Sequence, residues 1–137
     1  MTNWIFVESL HNWEVDKKNN FEFIGIKENK FRLRNILYGD KIFVYISKIK
    51  KFSDVRKVVD NKLHDKPTNY NYDKEFKKSL KTEIIRLLDK ESWLDFTIIA
   101  KELEVFNKST SPANKLLNAP IKIDSYDYSI LKNHFKI

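Results

Sequence analysis

The apolar positions come in short runs broken by polar punctuation, the pattern of several strands with brief helices between and after them. Residues 3 to 9, Asn-Trp-Ile-Phe-Val-Glu-Ser, combine aromatic and β-branched side chains and predict a strand. Residues 11 to 19, from His11 through Trp13 to Lys17, Lys18 and Asn19, predict a short helix, and a second strand follows at 21 to 27. Residues 28 to 35 form a charged connector with Lys30, Arg32 and Arg34, and Tyr38-Gly39-Asp40 is a turn signal. The run after it, 41 to 47, is apolar at odd and even positions alike, which a strand covered on both faces requires. Phe52, Val55, Val58 and Val59 mark a strand over 52 to 60, whereas 61 to 79, polar around Pro67 and the Asn-Tyr repeats, reads as a loop.

Residues 81 to 88 fit strand or helix by period alone. Phe96, Ile99, Leu103 and Phe106 share one helical face and predict a helix over 95 to 106. A Ser/Thr/Pro/Asn loop at 107 to 115 and a strand near 120 to 123 lead to a last helix at 125 to 135, with Ser125 as its cap and Tyr128, Leu131 and Phe135 at helical spacing. The chain has only two glycines, so their places are informative. Gly39 suits a turn that needs a positive φ. Gly25 interrupts a strand, where it marks either a bulge or something that approaches the backbone closely.

Length and composition narrow the classes. With 137 residues, 42% hydrophobic, 14% aromatic and 33% charged, the expectation is one globular domain over 1–137, and no apolar run reaches the roughly 18 residues of a bilayer span. The N-terminus lacks the pattern of a signal peptide, so the expected location is cytoplasmic. Zero cysteines exclude disulfides, thiolate metal sites and cysteine nucleophiles, and His11, His64 and His134 form no ligand pair, so no metal and no cofactor are expected. No paired carboxylates, nucleophile elbow or phosphate loop argues for an enzyme. The formal net charge of +7, with Lys outnumbering Arg 22 to 4, favours a polyanionic partner. Trp4, Trp13 and Trp93 are expected as core anchors, and Asp40 as a turn former.

Four segments in order carry a family resemblance: Asn3-Trp4-Ile5-Phe6-Val7-Glu8-Ser9 followed by Asn12-Trp13-Glu14, Ile24-Gly25-Ile26, Gly39-Asp40-Lys41 with the strand to Ile46, and Ile121-Lys122-Ile123-Asp124-Ser125-Tyr126-Asp127-Tyr128. Together the chain resembles the EVE-domain proteins of the PUA-like superfamily, relatives of YTH domains. The resemblance implies an α+β fold, a strongly curved mixed β-barrel of five or more strands flanked by short helices, and makes 81 to 88 a strand. It also implies a non-enzymatic nucleic-acid-binding domain, for RNA or DNA, that holds a flipped or methylated base in an aromatic and aliphatic pocket. The pocket would be built from Ser9, Leu10, His11 and Asn12, with Phe23, Ile24, Gly25 and Tyr45 as walls. Ile24 stands where many relatives have Trp, and 107 to 115 lacks a tryptophan that they carry. Arg32, Arg34, Lys48, Lys50 and Lys51 are the candidates for phosphate contacts. The alternative is a small protein-interaction module with a degenerate pocket. Membranes are not expected among the partners.

Overall fold

A parallel pairing between β1 (Asn3–Glu8) and β3 (Lys41–Ile46) runs in register from Asn3 opposite Lys41 to Glu8 opposite Ile46 and lies inside the sheet. The computed structural model describes residues 1–27, 36–71, 75–107 and 111–137. The other strands are β2 (Phe23–Lys27), β4 (Lys51–Asp65), β5 (Phe76–Leu87), β6 (Leu94–Asp95) and β7 (Ile121–Ile123). The sheet has seven strands in the order β2-β5-β4-β3-β1-β7, with β6 paired to β4. The expected α+β class holds. Barrel closure is not seen: among the described pairings β2 and β7 end the sheet, and no ladder joins them. Curvature comes instead from register shifts at Ile26/Lys27, Val44/Tyr45, Val55/Arg56 and Val58/Leu63, since each extra residue sharpens the local twist.

Both faces of the sheet centre are covered, as the two-sided run at 41 to 47 requires. On one face Ile5, Phe43, Tyr45, Phe52 and Val55 pack under α2 (Phe96–Ala100), α3 (Glu104–Asn107), α4 (Pro112–Leu117) and α5 (Ser125–Phe135). On the other, Trp4, Phe6, Ile42, Val44 and Ile46 meet Trp13 of α1 (Leu10–Lys18), together with Phe21, Ile24, Leu80 and Trp93. All three tryptophans are core anchors. Among the described residues no helix is long and apolar enough to cross a membrane.

Four expectations change. The segment 61 to 79 is not all loop, because β4 continues to Asp65 and β5 starts at Phe76, with Leu63 opposite Leu80 and Asp65 opposite Lys78. Such an arm is held by ladder hydrogen bonds, and these need no apolar side chains. The helix expected over 95 to 106 is two short ones. Asp95 caps α2 by accepting from the Thr97 and Ile98 N–H groups, while the Asp127 carboxylate accepts from the Glu104 and Val105 N–H groups and starts α3 afresh. Phe96, Ile99, Leu103 and Phe106 still enter the same core. Within 107 to 115, Ser111 caps α4, which begins at Pro112. The cap of α5 is Asp124, which accepts from the Asp127 N–H at 2.9 Å, and Ser125 is the first helical residue. The strand reading of 81 to 88 holds through Leu87.

Gly39 turns at φ +89°, as expected, and Asp40 does more than turn. Its buried carboxylate accepts from the Thr2 N–H (2.9 Å), the Trp4 Nε1–H (3.0 Å) and the Leu37 N–H (3.0 Å), tying the start of β1 to the turn before β3. Asp40→Ala strands these donors. It is expected to lower the unfolding free energy by about 2 kcal/mol or more in urea denaturation, with a loss under about 0.5 kcal/mol assigning Asp40 to turn formation alone.

Candidate functional site

Strand β4 brings one cation into the interior. Asp54 and Arg56 stand two residues apart on one face of the strand, and Arg56 is 0% exposed. Its Nε donates to Asp54 Oδ1 (2.6 Å), Nη1 to Asp16 Oδ2 of α1 (2.7 Å) and Nη2 to Glu8 Oε2 of β1 (3.3 Å). Asp54 also accepts from Trp13 Nε1 (2.9 Å) and Ser53 Oγ (2.7 Å). The Phe21 ring lies 4.9 Å from the guanidinium carbon, delivered by a residue held at φ 56°, a strained value for a bulky side chain. Burial works against the charge on Arg56, but Asp54 first, then Glu8 and Asp16, hold its pKa well above the usual range. One cation faces three acids. Burial, reinforced by the Asp16 charge, pushes the Glu8 carboxyl well above the usual carboxylate range.

The segment 69 to 71 reaches into this cluster from outside. Tyr70 Oη accepts from the Gly25 N–H (3.1 Å) and lies within hydrogen-bond reach of Asp16 Oδ1 and of Glu8 Oε1 (3.0 Å). A phenol has one proton to donate, so it serves one carboxyl and the other must donate to it. Protonated Glu8 donating to Oη, with Oη donating to Asp16, satisfies every partner. On either side, the Asn69 carbonyl accepts from His11 Nε2 (2.7 Å) and the Asn71 N–H donates to Asn12 Oδ1 (2.8 Å). Residues 69 to 71 are thus a strap tied across the start of α1 and the middle of β2.

The strap accounts for the glycine at position 25. The close approach is made by the chain itself: a Cβ here would fall inside contact distance of Tyr70 Cε2, 3.0 Å from Cδ2 and 3.2 Å from Phe76 Cδ1. The register shift in β2 comes two residues later.

Beside the strap lies a cleft of about 240 Å³. Phe6, Val7, Ser9 and Asn12 line it from β1 and α1, Gly25, Ile26, Lys27 and Phe76 from β2 and β5, and Ser47 from the end of β3. Leu116, Leu117, Ala119 and Pro120 line it from the end of α4 and the segment after it. Of the residues expected at a pocket, Ser9, Asn12 and Gly25 meet here. Ser9 caps α1 by accepting from the Asn12 N–H, so the cap role that Asn12 could have taken is filled. Asn12 is 2% exposed and its Oδ1 accepts from the Asn71 N–H; among the described residues no buried side-chain nitrogen or oxygen lacks a hydrogen-bond partner.

The other expected pocket residues lie elsewhere. Leu10 is exposed on α1, and His11 binds the strap. Phe23 packs edge-on against His64, centroids 5.3 Å apart. Ile24 is core beside Trp13 and Leu80, and Tyr45 is core on the helix-covered face against Phe96 and Phe52, where burial raises its pKa. Neither Ile24 nor Tyr45 lines the cleft. Lys48, Lys50 and Lys51 occupy the turn after β3 and the start of β4, with Lys48 and Lys50 exposed at φ 68° and 60°. Arg32 and Arg34 lie outside the described residues. The aromatic wall that sequence reasoning missed is Phe76, positioned by the Tyr70 ring 5.2 Å away, with the Lys27 ammonium 5.5 Å from its centroid. Among the described residues no acidic or histidine group is arranged to hold a metal ion.

No family model matches the chain, and no curated protein matches it. Solved structures do. A hypothetical protein from Leishmania major aligns with TM-score 0.64 at 14% identity, covering 99% of this chain and 96% of that one. The YTH domain of Zygosaccharomyces rouxii MRB1, solved in complex with N6-methyladenosine RNA, gives 0.65 at 13% identity over 99% and 85%. The Mmi1 YTH domain gives 0.71 at 10% identity over 97% and 93%. The chain has a YTH-like fold.

Gly25→Ala tests the strap's closeness. The Tyr70 ring is held at its hydroxyl by three partners and cannot retreat, so the variant is expected to lose about 1–3 kcal/mol of stability in thermal or urea unfolding. An unchanged melting temperature would mean that Tyr70 does not rest on Gly25.

Proposed function

We propose that the chain is a non-enzymatic nucleic-acid-binding domain that takes one base, modified by methylation, into the cleft at Ser9, Asn12 and Gly25. The observation that carries this reading is the Asn12 side chain, nearly buried in the lining of the cleft with its carbonyl fixed by the strap. The cleft is below the roughly 300–1,000 Å³ typical of larger small-molecule sites, which suits a single heterocycle. Phe76 can take one face of the ring, and Leu117 and Pro120 the other. This replaces the Trp-before-Gly wall of the EVE pattern, and such stacking is worth about 1–3 kcal/mol per base.

The solved YTH complex with N6-methyladenosine RNA supports the ligand class, and the order of EVE-like motifs supports reading the bent sheet as an opened form of the PUA-like barrel. Lys48, Lys50 and Lys51 adjoin Ser47 at the cleft and would follow the sugar-phosphate backbone, with Arg32 and Arg34 in the same role on sequence grounds alone. The second reading, a protein-interaction module, is favoured by Leu117, 76% exposed at the cleft wall.

A fluorescence-anisotropy panel of single-stranded and duplex RNA and DNA, with and without N6-methyladenine, separates the two. Base reading predicts tighter binding to the methylated single strand and affinity that falls steeply with salt. Equal affinity for all probes, or none, overturns it. Asn12→Asp keeps the acceptor for Asn71 and removes the donor. It is expected to reduce the preference for the methylated probe by about 1–3 kcal/mol, with little change on the unmethylated one. Lys50→Glu with Lys51→Glu should weaken binding to every probe and flatten the salt slope by about one unit for each phosphate that is no longer neutralised. An unchanged slope would assign both lysines to ordinary solvated surface.

A further inference from the structure

We infer that the Asn69–Asn71 strap is a proton-held latch on the cleft, closed while Glu8 donates to Tyr70 and released when that proton leaves. As regulation of the base site it rests on the reading above, although the latch itself does not.

The geometry is specific. Tyr70 Oη already accepts from the Gly25 N–H and must reach two carboxyls with a single proton. The arrangement closes only if one carboxyl is an acid. The groups that face Glu8 are Asp16 from α1, Asp54 and Arg56 from β4, and Tyr70 from the strap. Arg56 is shared by Asp54 at 2.6 Å and Asp16 at 2.7 Å and gives Glu8 only the longer contact at 3.3 Å. Glu8 is therefore the acid least compensated by positive charge, in agreement with its raised pKa. The Tyr70 hydroxyl, pushed far above its ordinary value by burial and then by Glu8 and Asp16, stays a phenol throughout.

Losing the proton has a defined result. A second carboxylate then meets the lone pairs of Oη, and Tyr70 can satisfy only one of the two. The ring leaves Gly25 and Phe76, and Asn71 leaves Asn12, so the donor amide and the aromatic wall of the cleft lose their fixed positions together. The sign follows from linkage. Folding holds the Glu8 proton more tightly than the unfolded chain does, so this contribution to stability is complete below the ordinary glutamate range and is lost as pH rises through the raised folded value.

The test uses the full ¹⁵N-labelled chain from about pH 5 to about pH 9. In the wild type, the Gly25 and Asn71 amide resonances are expected to move together in one titration. Glu8→Gln supplies a neutral donor at the same place and should hold both at their acid-side positions, whereas Tyr70→Phe should place both at open-strap positions at every pH. Static wild-type resonances, a titration that persists in Glu8→Gln, or a Tyr70→Phe spectrum that keeps the closed positions would overturn the latch. So would failure of Glu8→Gln to fold, since Gln reproduces the neutral acid and fails only if the charge is needed. With the N6-methyladenine RNA probe, wild-type affinity should fall about tenfold across the same titration and Glu8→Gln affinity should not. If the amides titrate as expected while no probe binds, the latch stands and the base reading falls.

Discussion

Arg56 is the residue on which the arrangement depends. A guanidinium with no exposure is tolerable only when every donor is matched and the charge is answered, and one strand cannot do both. Asp54 comes from the same strand, but Asp16 requires α1 to lie across the sheet and Glu8 requires the end of β1 to come within reach of the Arg56 guanidinium. Taking away one member of such a network leaves an uncompensated buried charge, at about 3–5 kcal/mol, a large share of a domain's net stability. The acids outnumber the cation, and the phenol of Tyr70 lies within hydrogen-bond reach of two of them. Polar demands deep inside the fold are thus met by a segment that comes from its surface.

The position of the cleft follows from this. The side chain of Glu8, the last residue of β1, reaches the Arg56 guanidinium, and Ser9 turns the chain directly into α1, where the Asn12 backbone N–H is capped. The strap supplies what the regular elements cannot: a donor for the Asn12 carbonyl, a ring over Gly25, and support behind Phe76. Packing, charge compensation and the shape of the cleft share the same three residues.

Much of the fold is legible in the chain because hydrophobic period reports burial. β3 is apolar on both parities and is covered on both faces. The spacing of Phe96, Ile99, Leu103 and Phe106 marks them correctly as inward positions, but it hides the break between α2 and α3, because the group that starts α3 is Asp127, remote in sequence. The β4–β5 arm escapes notice since backbone pairing leaves no mark on polarity. Of the residues that motif order assigns to a pocket, Ser9, Asn12 and Gly25 line the cleft, whereas Tyr45 lies on the other face, because a strand apolar on both parities does not say which face a ring takes. The charge cluster is invisible in the sequence. Glu8, Asp16, Asp54 and Arg56 look like ordinary surface charge, and Tyr70 looks like one more residue of a polar loop. The only local trace is a glycine in a strand, which reports that something comes close without saying what.

The parallel ladder between β1 and β3 also constrains how the chain assembles. It joins Asn3 to Lys41, and Asp40 reinforces the same junction through Thr2 and Trp4, so this contact closes a long loop, whereas β4 and β5 are sequence neighbours and pair as a hairpin. Loop-closure entropy favours the hairpin first and the β1–β3 contact later. Arg56 then begins with Asp54 alone, an ion pair internal to one strand, and Glu8 and Asp16 arrive together when β1 and α1 dock. Docking of β1 and α1 is the step that encloses the charge, so water can hydrate the guanidinium until its protein partners are at hand.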